Sequence, residues 1–166
     1  MKNSSMANYN IKRILLELEL LPKYDTQISL QTVEGETDYN YGAGKLTSRD
    51  KHKEQDFIIP LFNIPYTNSI LKDLNMYRTR VLRMYSKTCY SYHQDPTMRI
   101  HIPLITNDKC FMIIDDEVVR YPADGNYYVV DTTKLHTAVN GSSEERIHIC
   151  GCFNNEFIKK SSRRFR

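Results

Sequence analysis

The sequence has no long apolar run, since no stretch approaches the roughly 20 residues that a helix needs to cross a bilayer. Its first twenty residues, MKNSSMANYNIKRILLELEL, carry charges throughout their apolar part, which argues against a signal peptide. We therefore expect a protein that resides in the cytoplasm and has no membrane partner.

Cysteine is also scarce. The chain of 166 residues has four, namely Cys89, Cys110, Cys150 and Cys152. Four scattered thiols are too few for a disulfide-stabilised scaffold. Cys150 and Cys152 could ligate a metal, but one C-x-C without a second pair is a weak signal. We expect buried, reduced thiols.

The chain lacks a broad excess of charge of either sign. Its formal charge of +3 depends on the last ten residues, FIKKSSRRFR, which hold five basic side chains and no acidic one. The rest holds 18 basic side chains, 23 minus those five, against 20 acidic ones. We therefore expect no broad nucleic-acid-binding face, and we interpret residues 157–166 as a frayed, solubilising tail.

The N-terminal part of the chain contains two helical patterns and a long polar stretch. Residues 9–21 space their apolar side chains as an amphipathic helix does. The apolar stripe consists of Ile11, Ile14, Leu15 and Leu18, widened by Leu16, Leu20 and Leu21. Residues 32–56 predict a long surface loop that could close over a substrate. The stretch YTNSILKDLNM predicts a short helix with Thr67 or Asn68 as its N-cap.

From Arg78 onward, short β-type runs are separated by turn signals such as PADGN and NGSSE. Short strands spaced by about 8–12 residues are typical of a sandwich or barrel. We predict a mainly β (α+β) fold, a double-stranded β-helix or jelly roll with N-terminal helices packed outside it. Residues 1–166 would form one domain, with the jelly-roll core at about 78–153 and the helices and long loop in 1–77.

The stretch CYSYHQDPTMRIHIPLI, residues 89–105, places His93 and Asp95 two positions apart. Two such residues on a strand project from the same face, where an imidazole and a carboxylate are costly without partners. His136 follows in the run VVDTTKLHTAVN. Two imidazoles and one carboxylate suit Fe(II), and they leave coordination positions open for a bidentate co-substrate and O₂.

Arg146 lies downstream of these three residues, in SSEERIHI. The rigid fork of an arginine matches a carboxylate in a bidentate manner and does not deprotonate. An inward-facing Arg146 could hold the distal carboxylate of a dicarboxylic keto acid, with Ser142 or Ser143 adding a hydroxyl contact. Alternatively, Arg146 could form a rim salt bridge with one of the two glutamates before it, and His136 could be a surface residue.

The segments HQDPTMRIHIPLITN and GNYYVVDTTKLHTAVNGSSEERIHI, in this order, resemble the aspartyl/asparaginyl/prolyl hydroxylase family of Fe(II)- and 2-oxoglutarate-dependent oxygenases. The fold of that family is a cupin-like jelly roll. The resemblance runs from about Arg80 to Cys152, and residues 1–76 resemble no family.

The resemblance implies a role for each matching residue. It implies that His93 and Asp95 lie on one strand and that His136 opens a later one. It also implies that Arg146 binds the C5 carboxylate of 2-oxoglutarate, and that His136, Asn140 and Arg146 form the closing signature of the family.

The activity implied by the resemblance is that of a 2-oxoglutarate-dependent dioxygenase. Such an enzyme hydroxylates a C–H bond of an amino acid, a peptide side chain or a small metabolite, with Fe(II), O₂ and 2-oxoglutarate. The alternative is a non-catalytic cupin-like module that binds a metal or a small acid, or a structural domain. DNA-repair relatives carry a second arginine six residues after the clamp, and Cys152 at this position argues against a nucleic-acid substrate.

One departure from the family pattern leaves the first metal histidine open. Arg99-Ile-His101 resembles the stretch that supplies a metal histidine in membrane-linked aspartyl hydroxylases, so His101 is a rival to His93. Asp95 argues against a halogenase, whose iron needs that position vacant. Further candidates for substrate or second-shell contacts are Arg83, Arg99, His101, Asn140 and His148.

Overall fold

The structure, a computed structural model, describes residues 7–154 and the backbone of residues 4 and 5. The predicted tail, residues 157–166, lies outside the described residues. Within the described part, no helix combines the length and the apolar character needed to span a bilayer.

Helix α1, Ile11–Leu18, begins after Asn10, whose side chain accepts a hydrogen bond from the Arg13 N–H at 3.0 Å. The helix buries Ile14 against the core, which confirms the predicted amphipathic helix. Leu16 and Leu20, however, are 63% and 73% exposed, so the apolar stripe is narrower than predicted. Leu20 also lies beyond the end of the helix.

Helix α2, Pro65–Asp73, begins earlier than predicted, with a proline at its first position. Neither Thr67 nor Asn68 is the N-cap. The free N–H groups of the first turn of α2 are instead bound by a side chain of α1. The Glu17 carboxylate accepts hydrogen bonds from the Tyr66 and Thr67 N–H groups at 2.8 and 2.7 Å. A side chain from α1 therefore satisfies the helix end that the sequence was expected to cap locally.

The described residues form twelve strands and one 3₁₀ helix, Glu54–Asp56. The strands are β1 (Ser4–Ser5), β2 (Gln27–Ser29), β3 (Gln31–Thr32), β4 (Ile59–Pro60), β5 (Met76–Met84), β6 (Thr88–Cys89), β7 (Arg99–Ile105), β8 (Cys110–Ile114), β9 (Glu117–Val119), β10 (Tyr127–Val130), β11 (His136–Asn140) and β12 (Arg146–Phe153). All their pairings are antiparallel.

Two sheets form the body of the molecule. The large sheet has the strand order β1-β10-β7-β12-β5-β2, and the small sheet has the order β6-β11-β8-β9. Strands β3 and β4 form a separate pair. From β5 onward the chain passes back and forth between the two sheets, with only β8 and β9 consecutive in the same sheet, which confirms the predicted jelly roll. Strand β2 from the N-terminal part pairs with β5, so that part contributes to the large sheet.

The two faces of the large sheet differ in chemistry. One face packs its apolar side chains, such as Val81, Ile100 and Ile149, with helices α1 and α2 in the main hydrophobic core. The opposite face turns polar side chains, such as Arg80 and Arg99, toward the small sheet. The main apolar core therefore lies outside the jelly roll. The space between the sheets holds a smaller apolar cluster, which includes Met84, Met112 and Val130, and a polar cavity.

Candidate metal centre and its cavity

The segment between β6 and β7 carries two of the predicted ligands, but it is not a strand. Residues 90–98 form no regular element apart from a bridge between His93 and His136. The His93 N–H donates to the His136 carbonyl at 3.0 Å, and the His136 N–H donates to the His93 carbonyl at 2.9 Å. The Asp95 N–H donates to the carbonyl of Thr132, in the turn before β11, at 2.8 Å. The implied shared strand is therefore wrong, because Pro96 has no N–H to continue the ladder. His136 does open β11.

Both imidazoles are held by the main chain through the same nitrogen. His93 Nδ1 lies 2.8 Å from the Ser91 carbonyl oxygen, and His136 Nδ1 lies 2.9 Å from the Lys134 carbonyl oxygen. A carbonyl oxygen only accepts, so each Nδ1 carries the proton and each Nε2 keeps its lone pair. Metal-ligating histidines are oriented in this way by their other ring nitrogen.

Asp95 completes the group. One ligand atom from each of His93, Asp95 and His136 lies within 4.8 Å of the other two. The Asp95 carboxylate also lies 3.4 Å from Arg99 Nε, a charge contact without hydrogen-bond geometry. The contact orients the carboxylate and leaves its oxygens available. Two imidazole nitrogens and one carboxylate suit a divalent metal such as Fe(II).

This group lines a cavity of about 550 Å³ between the two sheets. Four buried arginines line the same cavity, namely Arg78, Arg80, Arg99 and Arg146. Its carboxylates are those of Glu54 and Asp95. The volume falls in the range of small-molecule sites, about 300–1,000 Å³.

Arg146, the first residue of β12, is 2% exposed. Its guanidinium donates to His148 Nδ1 at 2.9 Å and contacts the Met84 sulfur at 3.3 Å. No carboxylate of the described residues lies within ion-pair distance of it, and Glu145 pairs with Arg83 instead. The alternative of a rim salt bridge is therefore wrong. A buried cation without a counter-ion is costly, so the position favours an anionic ligand.

His101, His148 and Cys150 form a buried hydrogen-bonded row beside Arg146. The one lone pair of His148 Nδ1 accepts from Arg146 Nη2 at 2.9 Å, and His101 Nδ1 lies 3.3 Å from the same atom. His101 Nε2 lies 3.5 Å from the Cys150 sulfur. Burial first, and then the charge of Arg146, lowers the pKa of both imidazoles well below the usual value, so both are neutral.

The two rival histidines differ in their surroundings. His101 lines the cavity, but both of its ring nitrogens lie close to other buried polar atoms, and it is not a member of the close ligand group. His93 belongs to that group. His148 contacts Arg146 directly, through its Nδ1.

Glu54, in the 3₁₀ helix, ties the long loop to the wall of the cavity. Its carboxylate accepts hydrogen bonds from Arg78 at 2.5 Å and from Arg99 at 2.8 Å. Arg78 also donates to the Gly42 and Gly44 carbonyls of the loop, at 3.2 and 2.6 Å. The predicted loop therefore exists, and four of its residues line the cavity, namely Gly44, Lys45, Leu46 and Glu54.

We expect the Glu54→Gln substitution to destabilise the protein by about 3 kcal/mol at pH 7, because it leaves Arg78 and Arg99 buried without their shared counter-ion. Glu34→Gln, an exposed change in the same loop, is the control and should have little effect. Urea unfolding of the two variants measures the difference. Equal stabilities would contradict the assigned ion pairs.

The loss of stability caused by Glu54→Gln should depend on pH. Burial alone would raise the pKa of Glu54, but the charges of Arg99 and Arg78 outweigh it and hold the pKa below its usual range. A lowered folded-state pKa contributes stability above the unfolded value of about 4.3, and this stability is lost as pH falls through the folded value. The gap between wild type and Glu54→Gln should therefore close in acid.

Three other predicted site residues have structural roles. Arg83 points away from the cavity, lies 4.4 Å from the Tyr24 ring centroid and pairs with Glu145 at 3.1 Å. Asn140 and Ser142 bond to each other at 2.7 Å and hold the turn between β11 and β12. Since none of the three lines the cavity, the expected substrate and co-substrate contacts do not apply to them. Arg99 does line it.

The cavity residues that sequence reasoning missed include Arg78, Arg80, Tyr90 and Glu54. The Tyr90 hydroxyl is buried without a hydrogen-bond partner. Burial, the largest effect, raises the pKa of this phenol, so it remains a neutral donor. Strand parity could have found Arg80, because Leu82 and Met84 on β5 share its face. No pattern marks Glu54, which reaches the site from a distant loop.

Comparison with known proteins gives one family and several distant structures. Residues 10–155 match the model of a family described as aspartyl/asparaginyl beta-hydroxylase. The match is longer than the segment that carries the sequence resemblance, and it includes α1, α2 and the long loop. No curated protein matches the chain.

Three similar solved structures are partial matches. A protein from Photorhabdus luminescens, plu4264, is 15% identical with a TM-score of 0.39, over 51% of this chain and 71% of its own. A cupin domain from Bordetella pertussis is 14% identical with a TM-score of 0.40, over 46% and 79%. The DMSP lyase DddQ from Ruegeria pomeroyi is 13% identical with a TM-score of 0.40, over 49% and 40%.

Proposed function

Because the chain belongs to the aspartyl/asparaginyl β-hydroxylase family, we propose that it is an Fe(II)- and 2-oxoglutarate-dependent dioxygenase. It would hydroxylate a C–H bond of an amino acid, a peptide side chain or a small metabolite. His93, Asp95 and His136 would hold the metal, and Arg146 would bind the distal carboxylate of 2-oxoglutarate.

One observation carries this proposal. Two imidazole lone pairs and one carboxylate converge on the same cavity as Arg146, a buried guanidinium that has no carboxylate partner among the described residues. The cavity thus offers ligands for a divalent cation and a separate cation for a dicarboxylate. A site for a metal alone would not need the second feature.

Bound Fe(II) would supply the activation of O₂ and the oxidative decarboxylation of the co-substrate. The protein residues bind and orient. Arg146 forms charge-assisted hydrogen bonds to a carboxylate, and the Tyr90 hydroxyl is free to donate beside it. Arg99 orients Asp95 from one side. The two sheets form the walls of the cavity.

The alternative is a cupin-like module that binds a metal or a small acid without turning it over. Such a module would bind the metal through the same three ligands. It would have no reason to bind 2-oxoglutarate in a manner that depends on both the metal and Arg146.

The test is an anaerobic titration of the purified protein with Fe(II) and 2-oxoglutarate. We expect the visible charge-transfer band of a keto acid chelated to iron, because the three candidate ligands and Arg146 line the same cavity. Arg83→Gln is the control, since this arginine lies on β5 but points away from the cavity.

The variant and the wild type should give the same band. Metal binding without a band would favour the non-catalytic module. A folded protein that binds neither the metal nor the keto acid would contradict the proposal as a whole.

A further inference from the structure

The cavity holds more positive charge than the proposed metal and co-substrate use. Its four buried guanidinium groups face only two carboxylates. Glu54 lies between Arg78 and Arg99, and Arg99 also touches Asp95, so these four side chains balance one another. Arg80 and Arg146 are left without a carboxylate partner.

Binding of a divalent metal and a dicarboxylate leaves this excess unchanged, because their charges cancel. 2-Oxoglutarate would provide a counter-ion for Arg146. Arg80 would still lack one. Buried unpaired charges are costly, so a second anion has to enter the cavity if Arg80 is to be neutralised.

Arg80 is held in place by neutral groups alone. It is 8% exposed, and its Nη1 donates to the Gln27 Oε1 at 3.2 Å and to the Gly44 carbonyl at 3.1 Å. Its buried Nε has no hydrogen-bond partner. The side chain lines the cavity and keeps part of its donor capacity unused.

Arg80 and Arg146 lie in different parts of the cavity. On the paired strands β5 and β12, Arg80 lies opposite Cys150, and Arg146 lies opposite Met84. Four residues along a strand correspond to roughly 13 Å between the two Cα positions. A co-substrate whose far end is bound at Arg146 therefore leaves Arg80 to a second molecule.

We propose that Arg80 binds an anionic group, a carboxylate or a phosphate, of the substrate that is hydroxylated. This inference rests on the proposed function and specifies its substrate class. The bound substrate supplies the counter-ion that Arg80 lacks, and neutral molecules of the same size are disfavoured because they leave this guanidinium buried and unpaired.

The test uses the protein loaded with Mn(II) in place of Fe(II) and saturated with 2-oxoglutarate. Ligand-observed NMR screens N-acetyl amino acids against their primary amides, and phosphate monoesters against the corresponding alcohols. Paramagnetic line broadening by Mn(II), compared with a Zn(II)-loaded sample, identifies compounds that bind near the metal. We expect broadening of carboxylates, of phosphates or of both, and none of their neutral counterparts.

Three variants assign the preference to Arg80. Arg80→Gln should weaken binding of the anionic compounds at least about 10-fold, as expected for loss of a charge-assisted pair. Arg80→Lys should restore part of it. Gln27→Glu keeps Arg80 but replaces the amide that Arg80 contacts by a carboxylate, which gives Arg80 a counter-ion within the protein. This variant should therefore weaken binding of the anionic compounds by a similar factor. The Gln27→Glu variant retains the buried contacts of Arg80.

Arg83→Gln serves as the control on the same strand, and 2-oxoglutarate affinity should stay within about 2-fold in all variants, because Arg146 is intact. The inference is wrong if neutral compounds bind as well as anions, or if Gln27→Glu leaves anion binding unchanged. It is also wrong if 2-oxoglutarate binds and no anion does. Absence of 2-oxoglutarate broadening in the wild type would instead contradict the proposed function.

Discussion

Asp95→Ala should lower the affinity for Mn(II) or Fe(II) at least about 100-fold, because it removes the charged member of a three-ligand group. Loss of a direct ligand should cost more affinity than loss of a residue that only supports a ligand, which costs about 10- to 100-fold. The two imidazoles would remain, held by the Ser91 and Lys134 carbonyls. Isothermal titration of the metal-free protein measures the affinity directly, without reference to activity.

The fold should survive this substitution. Arg99 loses one charge contact but keeps Glu54 as its counter-ion. Asp108→Ala, an exposed change in the loop between β7 and β8, is the matched control and should bind metal as the wild type does. Normal metal affinity in a folded Asp95→Ala protein would refute the assigned ligand group.

Arg146→Met should have two effects of opposite sign. Affinity for 2-oxoglutarate should fall about 100-fold, since a buried charge-assisted carboxylate pair is lost. Without ligands, however, the variant should be more stable than the wild type by about 2 kcal/mol, because an unpaired buried cation is replaced by an apolar side chain of similar length. For a chain of this size, that gain corresponds to a rise in Tm of about 6 °C.

The gain should disappear in saturating metal and 2-oxoglutarate, where the wild type acquires its counter-ion and the variant does not. Thermal unfolding with and without the two ligands measures both effects. A loss of stability in the ligand-free Arg146→Met protein would show that Arg146 has a structural role, and would argue against an anion site at this position.

The sequence was sufficient to single out the three residues that the structure brings together, because they combine rare residue types with a specific spacing. His93, Asp95 and His136 are readable in this way, and Arg146 follows as the cation next along the chain. The prediction of the backbone conformation around His93 and Asp95 was wrong. The sequence analysis predicted a strand there, whereas residues 90–98 form an irregular segment that lies alongside β11 and is bound to it by main-chain hydrogen bonds.

The residues that the sequence did not reveal are those whose role depends on tertiary position. Glu54 is an ordinary acidic residue of a polar loop until Arg78 and Arg99 meet it in space. Arg80 and Arg83 lie on opposite faces of β5, and only the packing of the two sheets shows which face borders the cavity. The cap of α2 by Glu17 is equally non-local.

The main-chain hydrogen bonds between residues 90–98 and β11 have a consequence for how this centre tolerates change. The distance between the two histidines depends on paired peptide groups rather than on the side chains between them. Replacement of the exposed Tyr92 or Gln94 should therefore leave the ligand geometry intact. Insertion or deletion of one residue between His93 and Asp95 would rotate the carboxylate away from both imidazoles, so chain length at this point is under stricter constraint than residue identity.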